Sequence, residues 1–206
     1  ARVVKRVPAG GGLGGASSDA AAALVGACRL WGLDESDTTV TALAASLGAD
    51  VPFFLEGGTA LYAGRGDVLV RRLPTPALDL VVVNPGVPVA TPAAYAAFDR
   101  MLPAPIPDVA AVIEAIASGD AARVAAALFN NLAEPAQVVA PEISDTLHCV
   151  LQSEGVLGAM VSGSGSCVVG ICENASTAGI VATAASANGW WSAVASAAPG
   201  GIVDIT

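Results

Sequence analysis

The chain is poor in the side chains that most catalytic and structural chemistry relies on. It has one histidine, His148, and one lysine, Lys5. A lone histidine leaves little material for a zinc site or a Ser-His-Asp triad. Four cysteines (Cys28, Cys149, Cys167, Cys172) make neither a CxxC pair nor a dense framework, which suits a reducing cytoplasm rather than a disulfide scaffold. Long apolar runs are missing too. The stretches 80–98 and 155–172 are interrupted by proline, glycine or serine, short of the roughly 20 residues a spanning helix needs. The start carries no apolar block of a secretory signal. Charged residues are only 13% of the chain and aromatics 4%.

What is present is apolar and small. Hydrophobic residues make up 54% of the 206 positions, and there are 23 glycines. That composition excludes a disordered chain, and the length fits one large domain or two small ones with a proper core. The formal net charge is −9. Such a surface repels polyanions, so no nucleic-acid partner is expected, and with no spanning run in the sequence no membrane partner is expected either. Any phosphate must be held by local backbone geometry.

Residues 2–7, β-branched and alternating with basic residues, read as a short strand. Five glycines in six positions follow, Gly10-Gly11-Gly12-Leu13-Gly14-Gly15. An alanine-rich helix then runs to Trp31 and stops near Gly32. A second helix is expected over 36–47, with Ser36 as cap and Gly48 at its end. From 51 to 73 the texture turns to short β-prone runs. Leu73-Pro74-Thr75-Pro76 reads as a hinge, dividing the chain into domains 1–74 and 75–206. Beyond it come a buried strand at 80–83, helices at 92–101, 108–118, 121–128 and 141–153, and strands at 157–161 and 167–172. A helix at 175–187, capped by Asn174, and a strand at 191–195 complete the pattern. Strands mixed with helices and tight turns favour an α+β fold over a doubly wound sheet. Trp190 and Trp191 read as core or as the contact of a weak homodimer, His148 as structural, and Asp19 as a complement to the helix dipole.

The glycine segment carries the chemistry. A glycine loop that leads into a helix starting at Ser/Ala exposes main-chain N–H groups to an anion, and the helix N-terminus adds partial positive charge. Ser17 and Ser18 can add hydroxyls or reach a phosphate-bound magnesium. The Walker pattern is excluded, because Ala16-Ser17 stands where Lys-Ser/Thr is required. Gly10-x-Gly12-x-x-Gly15 matches the dinucleotide fingerprint formally, with Asp34 or Glu35 about 20 residues on. However, no second βαβ half follows, so an oxidoreductase ranks last. A bare flexible turn before a capped helix is the plain alternative.

The stretch from Pro8 to Ala21, PAGGGLGGASSDAA, resembles the phosphate loop of the GHMP small-molecule kinases, the family of galactokinase, homoserine kinase and mevalonate kinase. Three further segments agree in order: Leu47-Gly48-Ala49-Asp50-Val51-Pro52-Phe53-Phe54, Asn84-Pro85-Gly86-Val87 with Thr91-Pro92-Ala93-Ala94-Tyr95, and Ser162-Gly163-Ser164-Gly165-Ser166-Cys167. The resemblance implies a two-domain fold, a partial ribosomal-S5-like nucleotide domain followed by a ferredoxin-like domain. It also implies ATP with Mg²⁺ as cofactors, and a cytidine-diphosphate-linked polyol phosphorylated on its 2-hydroxyl for isoprenoid precursor synthesis. Under it, Lys5, Pro8, Gly10, Gly11, Gly12, Leu13, Gly14, Gly15, Ala16, Ser17, Ser18, Gly163, Ser164 and Gly165 bind ATP. Thr91, Pro92 and Tyr95 bind substrate, Tyr95 by stacking on cytosine, and Asp50 is the catalytic acid–base group. Metal ligands are left open. Asp50 in its apolar setting is expected to be poorly solvated, the plain alternative being a capping or turn aspartate. Tyr95 alternatively packs with Phe98 as core. Gly163 and Gly165 keep a tight turn between two antiparallel strands. The family's N-terminal lysine motif and Tyr-His pair have no counterpart here. The expectation is therefore a piece lacking its first strands that turns over little by itself. Another member of the family, such as homoserine kinase, or a non-catalytic nucleotide-binding module are the alternatives.

Overall fold

The computed structural model describes residues 2–102 and 105–200. Its internal contacts divide it into two units, one of Ala1–Val7, Gly14–Thr75 and Ala198–Thr206, the other of Pro8–Leu13 and Pro76–Ala197. The first part of the glycine loop, through Leu13, thus groups with the second unit, whereas Gly14, Gly15 and the helix that follows belong to the first.

In the first unit, α1 (Gly15–Trp31) buries Ala21, Val25 and Cys28, a stripe at helical spacing, and ends at a left-handed Gly32. α2 (Thr38–Leu47) starts two residues later than its sequence suggests. The hydroxyl of Ser36 donates to the Asp34 carboxylate at 2.7 Å. Asp37 therefore caps the helix instead, accepting from the Thr39 N–H at 2.7 Å. Residues 51–56 form a helix, α3 (Val51–Glu56), and not a β run. Pro52 is tolerated in the first turn, and Val51 packs with Ala21, Ala44, Leu24, Phe54 and Leu55 into a small core. That burial overrides the β preference of Val-Pro-Phe-Phe-Leu. β1 (Thr59–Ala63) and β2 (Val68–Leu73) then form an antiparallel hairpin. The ring of Phe53 meets those of Phe54 and Tyr62 edge-on, at 5.3 and 6.0 Å between centroids. The strand expected at 2–7 does not form: those residues are exposed, and among the described residues no strand pairs with them. β propensity without a ladder partner has no hydrogen bonds to stabilise it.

The second unit contains β3 (Asp79–Asn84), α4 (Thr91–Phe98), α5 (Val109–Ser118), α6 (Ala121–Ala126), α7 (Ala133–Val139), α8 (Glu142–Leu151), β4 (Val156–Val161), β5 (Val168–Cys172), α9 (Ala175–Ala187) and β6 (Trp191–Ser196). The sheet is antiparallel throughout, in the order β4–β5–β3–β6. With helices between β3 and β4 and between β5 and β6, this is the ferredoxin-like arrangement that was expected. Val81 and Val83 point to one face and pack with Ile143 and Val150 of α8 and Val181 of α9. Leu80 and Ile171 cluster instead with Val124 and Ala125 of α6, as strand alternation requires. α8 rides close over β5 at Gly170, where a Cβ would lie 2.9 Å from Val150 Cγ1 and 3.0 Å from Val81 Cγ1. α7 has no counterpart in the sequence reading. Pro135 and a valine pair disguise it, but the proline stands in its first turn, where a missing N–H costs nothing. Asn174 caps α9 as expected, accepting from the Thr177 N–H at 2.9 Å.

Candidate functional site

Within the second unit the glycine loop lies directly on the turn that joins β4 to β5. The Cys167 N–H donates to Gly11 O at 3.0 Å, and Ser162 Oγ donates to Gly12 O at 3.0 Å. The approach leaves no room for side chains. A Cβ on Gly12, whose φ is +75°, would fall 2.0 Å from Ser162 O, and one on Gly11 would fall 2.6 Å from Cys167 Sγ. Gly163 faces back toward Gly12, a Cβ there lying 3.1 Å from Gly12 O. The two glycine motifs, 150 residues apart in sequence, are therefore packed backbone against backbone, as the reading of 163–165 as a tight turn between antiparallel strands anticipates.

Beneath this contact lies a buried polar layer. Asn84, at the end of β3, donates through Nδ2 to Ser166 Oγ and Cys167 Sγ, both at 3.1 Å, and accepts from the Gly86 N–H at 2.8 Å. Ser166 Oγ donates onward to Val87 O. Burial pushes the Cys167 thiol up from its ordinary range, with the Asn84 hydrogen bond opposing it. From the flank, Asn130 donates to Val161 O at 2.8 Å and to Gly163 O at 2.7 Å. Thr91 Oγ1 and Ser164 Oγ share a hydrogen bond of 3.0 Å, which joins an expected substrate residue to an expected nucleotide residue. In the sequence, Asn84, Ser162 and Ser166 stand within the segments that carry the resemblance but have no role of their own there, and Asn130 stands in none of them. Asn84 stood in a recognisable Asn-Pro-Gly turn, whereas nothing local marks Asn130.

In the first unit, α1 opens on Gly14 with φ +65° and no side-chain cap. Ser18 Oγ turns back to Gly15 O at 2.9 Å. Among the described residues, the main-chain N–H groups of Gly12, Leu13, Gly14, Gly15, Ala16 and Ser17 donate to no protein acceptor. Backbone donors left in this way seek an anion or water. Lys5 is engaged with the Asp19 carboxylate, so Asp19 serves an ion pair and lies beyond the first turn of the helix. Its sequence reading as a dipole complement is replaced by this contact.

Asp50 departs from its expected surroundings. It precedes α3 without capping it and is exposed, while the next two residues, Val51 and Pro52, are buried. The apolar neighbours turn inward and leave the carboxylate in water. Gly66 lies beside the carboxylate, where a Cβ would come 4.0 Å from Asp50 Oδ1. Tyr95 is 53% exposed, because α4 buries Ala94 and Ala97 and presents the ring to solvent. This corrects the alternative of a Tyr95–Phe98 core pair. Pro92 lies exposed in the first turn of the same helix. The first unit also contains a cavity of about 340 Å³ lined by Ser18, Phe53, Phe54, Gly57, Gly58 and Ala198. His148 is exposed in the last turn of α8, and Trp190 packs against the main core.

Among the described residues, no group of three or more His, Cys, Asp or Glu could hold a metal ion. No helix there is long and apolar enough to cross a membrane.

Two family models match the chain: GHMP kinases N terminal domain over residues 1–58 and GHMP kinases C terminal over residues 112–189. Over 182 residues the chain is 43% identical to 4-diphosphocytidyl-2-C-methyl-D-erythritol kinase of Pelotomaculum thermopropionicum, covering 88% of this chain and 63% of the relative. It is 44% identical to the protein of the same name from a Nocardioides species, covering 84% and 59%. The chain thus spans somewhat less than two thirds of the length of these relatives. Among solved structures it resembles a 4-(cytidine 5'-diphospho)-2C-methyl-D-erythritol kinase, with a TM-score of 0.77 and 36% identity over 93% of this chain and 68% of the other. The fold is shared with homoserine kinase from Cytophaga hutchinsonii, at a TM-score of 0.72, 22% identity and coverage of 95% and 68%. Glycine motifs packed on one another, a ferredoxin-like sheet and matches to both domain models agree: the chain belongs to the GHMP kinase family.

Proposed function

We propose that the whole protein transfers the terminal phosphoryl group of ATP to the 2-hydroxyl of 4-diphosphocytidyl-2-C-methyl-D-erythritol, a step in non-mevalonate isoprenoid precursor synthesis. The observation that carries this reading is the run of six consecutive main-chain N–H groups, residues 12–17, with no protein acceptor among the described residues. Phosphoryl transfer demands positioning and charge neutralisation more than covalent chemistry. Fixed backbone dipoles supply both in a chain whose net charge is −9. The substrate identity is supported by the two relatives above 40% identity, both of them 4-diphosphocytidyl-2-C-methyl-D-erythritol kinases.

We assign Lys5, Pro8, Gly10, Gly11, Gly12, Leu13, Gly14, Gly15, Ala16, Ser17, Ser18, Gly163, Ser164 and Gly165 to the nucleotide. Thr91, Pro92 and Tyr95 are assigned to the cytidylyl substrate, the exposed Tyr95 ring offering a flat face to cytosine. Asp50 takes the proton of the attacking hydroxyl as its oxygen bonds to the γ-phosphorus. The bond to the β-phosphate oxygen then breaks, ADP leaves, and the proton passes to solvent. Magnesium would enter with ATP as the counter-ion of its phosphates, and the hydroxyls of Ser17 and Ser18 are the groups that would reach it there. A weak homodimer through Trp191 on the edge strand β6 belongs to the same proposal and is read by sedimentation.

Phosphotransfer by the full-length protein and its Asp50→Asn variant tests the reading. The expected result is a fall in kcat of about 10² to 10⁴-fold with nucleotide affinity little changed. An Asp50→Asn enzyme that retains its kcat, or a wild type unable to use the cytidylyl substrate, overturns it.

A further inference from the structure

We infer that Asn130 is a positioning residue for the nucleotide, acting through Ser162 on the glycine loop. The inference rests on the kinase reading given above. Asn130 lies in the loop between α6 and α7, distant in sequence from every motif, yet its side-chain amide has all its principal partners. Nδ2 donates to Val161 O at 2.8 Å and to Gly163 O at 2.7 Å, and Oδ1 accepts from the Leu132 N–H at 2.9 Å. The two carbonyls it grips belong to the residues on either side of Ser162. Ser162 in turn donates from Oγ to Gly12 O at 3.0 Å. Its own carbonyl stands where a Gly12 Cβ would be, 2.0 Å away. Asn130 thus fixes the backbone on both sides of the one hydroxyl that holds Gly12, and Gly12 begins the run of N–H groups assigned to phosphate.

A carbonyl accepts and cannot donate, so only a two-donor side chain can bridge Val161 O and Gly163 O. An aspartate has the same shape and would keep the acceptor for the Leu132 N–H. It would also set a carboxylate oxygen against two carbonyl oxygens and so prise the turn away from its bed. Its effect should therefore reach the nucleotide without passing through the start of α7. Asn84 holds the same turn from below through Ser166 and Cys167. The turn thus has two independent supports, and loss of one should loosen it without unfolding the sheet.

The test uses the full-length protein with Asn130→Asp and, beside it, Asn130→Ala. Three measurements are needed: the Kd for a non-hydrolysable ATP analogue, the KM for the cytidylyl substrate, and hydrogen exchange at the Cys167 N–H, which donates to Gly11 O. Expected for Asn130→Asp are at least a tenfold weaker Kd, a cytidylyl KM within twofold of wild type, and faster exchange at Cys167. Asn130→Ala should show the same split, more mildly, because the repulsion is absent. An unchanged Kd in both variants, or equal losses on both substrates, overturns the inference. If the wild type binds no nucleotide, the kinase reading falls and the nucleotide role of Asn130 falls with it. Unaltered Cys167 exchange defeats the mechanical link whatever the binding result.

Discussion

At the scale of single residues, the site is built from atoms that are absent. Gly12 has no substitute, since its φ lies in the left-handed region and the space for a Cβ is taken by Ser162 O. Gly12→Ala is expected to cost about 1–3 kcal/mol of stability from backbone strain alone. It should also weaken ATP-analogue binding more than tenfold, as read by chemical denaturation and calorimetry on the same preparation. Equal binding by the two proteins would mean that phosphate does not depend on this loop. The glycines were legible in the sequence because five in six positions carry a large entropic cost unless the backbone must be approached. The supports were not. Asn84, Asn130 and Ser162 act through partners 31 to 150 residues away, and no local pattern encodes such partnerships. Asp50 was legible as a chemical candidate but not in its surroundings. The apolar letters around it describe where its neighbours point, and the carboxylate stays in water.

At the scale of elements, caps and burial decided more than propensity did. Asn174 begins α9 with a side-chain bond to the Thr177 N–H. Asn174→Ala should lower stability by about 1 kcal/mol, while Asn174→Gly should lower it by only a few tenths, because without a Cβ the unpaired N–H groups of the first turn stay open to water. Urea midpoints with unchanged slopes would measure the difference, and indistinguishable midpoints would deny the cap its role. Elements with clear caps or clear alternation were readable: α1 between its glycines, α5 behind Asp108, and β3 as an uninterrupted Leu-Val-Val-Val run. Elements held by packing were not. α3 is written in β-prone letters, and α7 contains a proline that only its position in the first turn excuses. The opposite error occurred at 2–7, where suitable letters lack a neighbour to pair with.

At the scale of the whole molecule, stability should be bounded on both sides of neutral pH. Asp34, Asp37 and Asp67 are held below the usual carboxylate range, chiefly by hydrogen bonds from Ser36, Thr39 and Arg65 respectively. Depressed folded values give stability that is present above the ordinary carboxylate pKa, near 4, and is lost as pH falls through the folded values. Burial raises the thiols of Cys167 and Cys172. Raised folded values give stability that is complete below the ordinary thiol pKa, about 8.5, and is lost as pH climbs beyond it. Tm followed by tryptophan emission should therefore be flat between roughly pH 5 and 8 and fall on either side. A Tm that kept rising above pH 9 would contradict the burial of the thiols. The chain's path between its units has a practical consequence for anyone dissecting it. Six residues near the front are claimed by the body that otherwise starts at Pro76. A polypeptide of 76–197 expressed alone would lack the strip that covers Ser162 and Cys167, leaving an open slot over their hydroxyl and amide. A synthetic peptide of 8–13 added in trans is what ought to fill it.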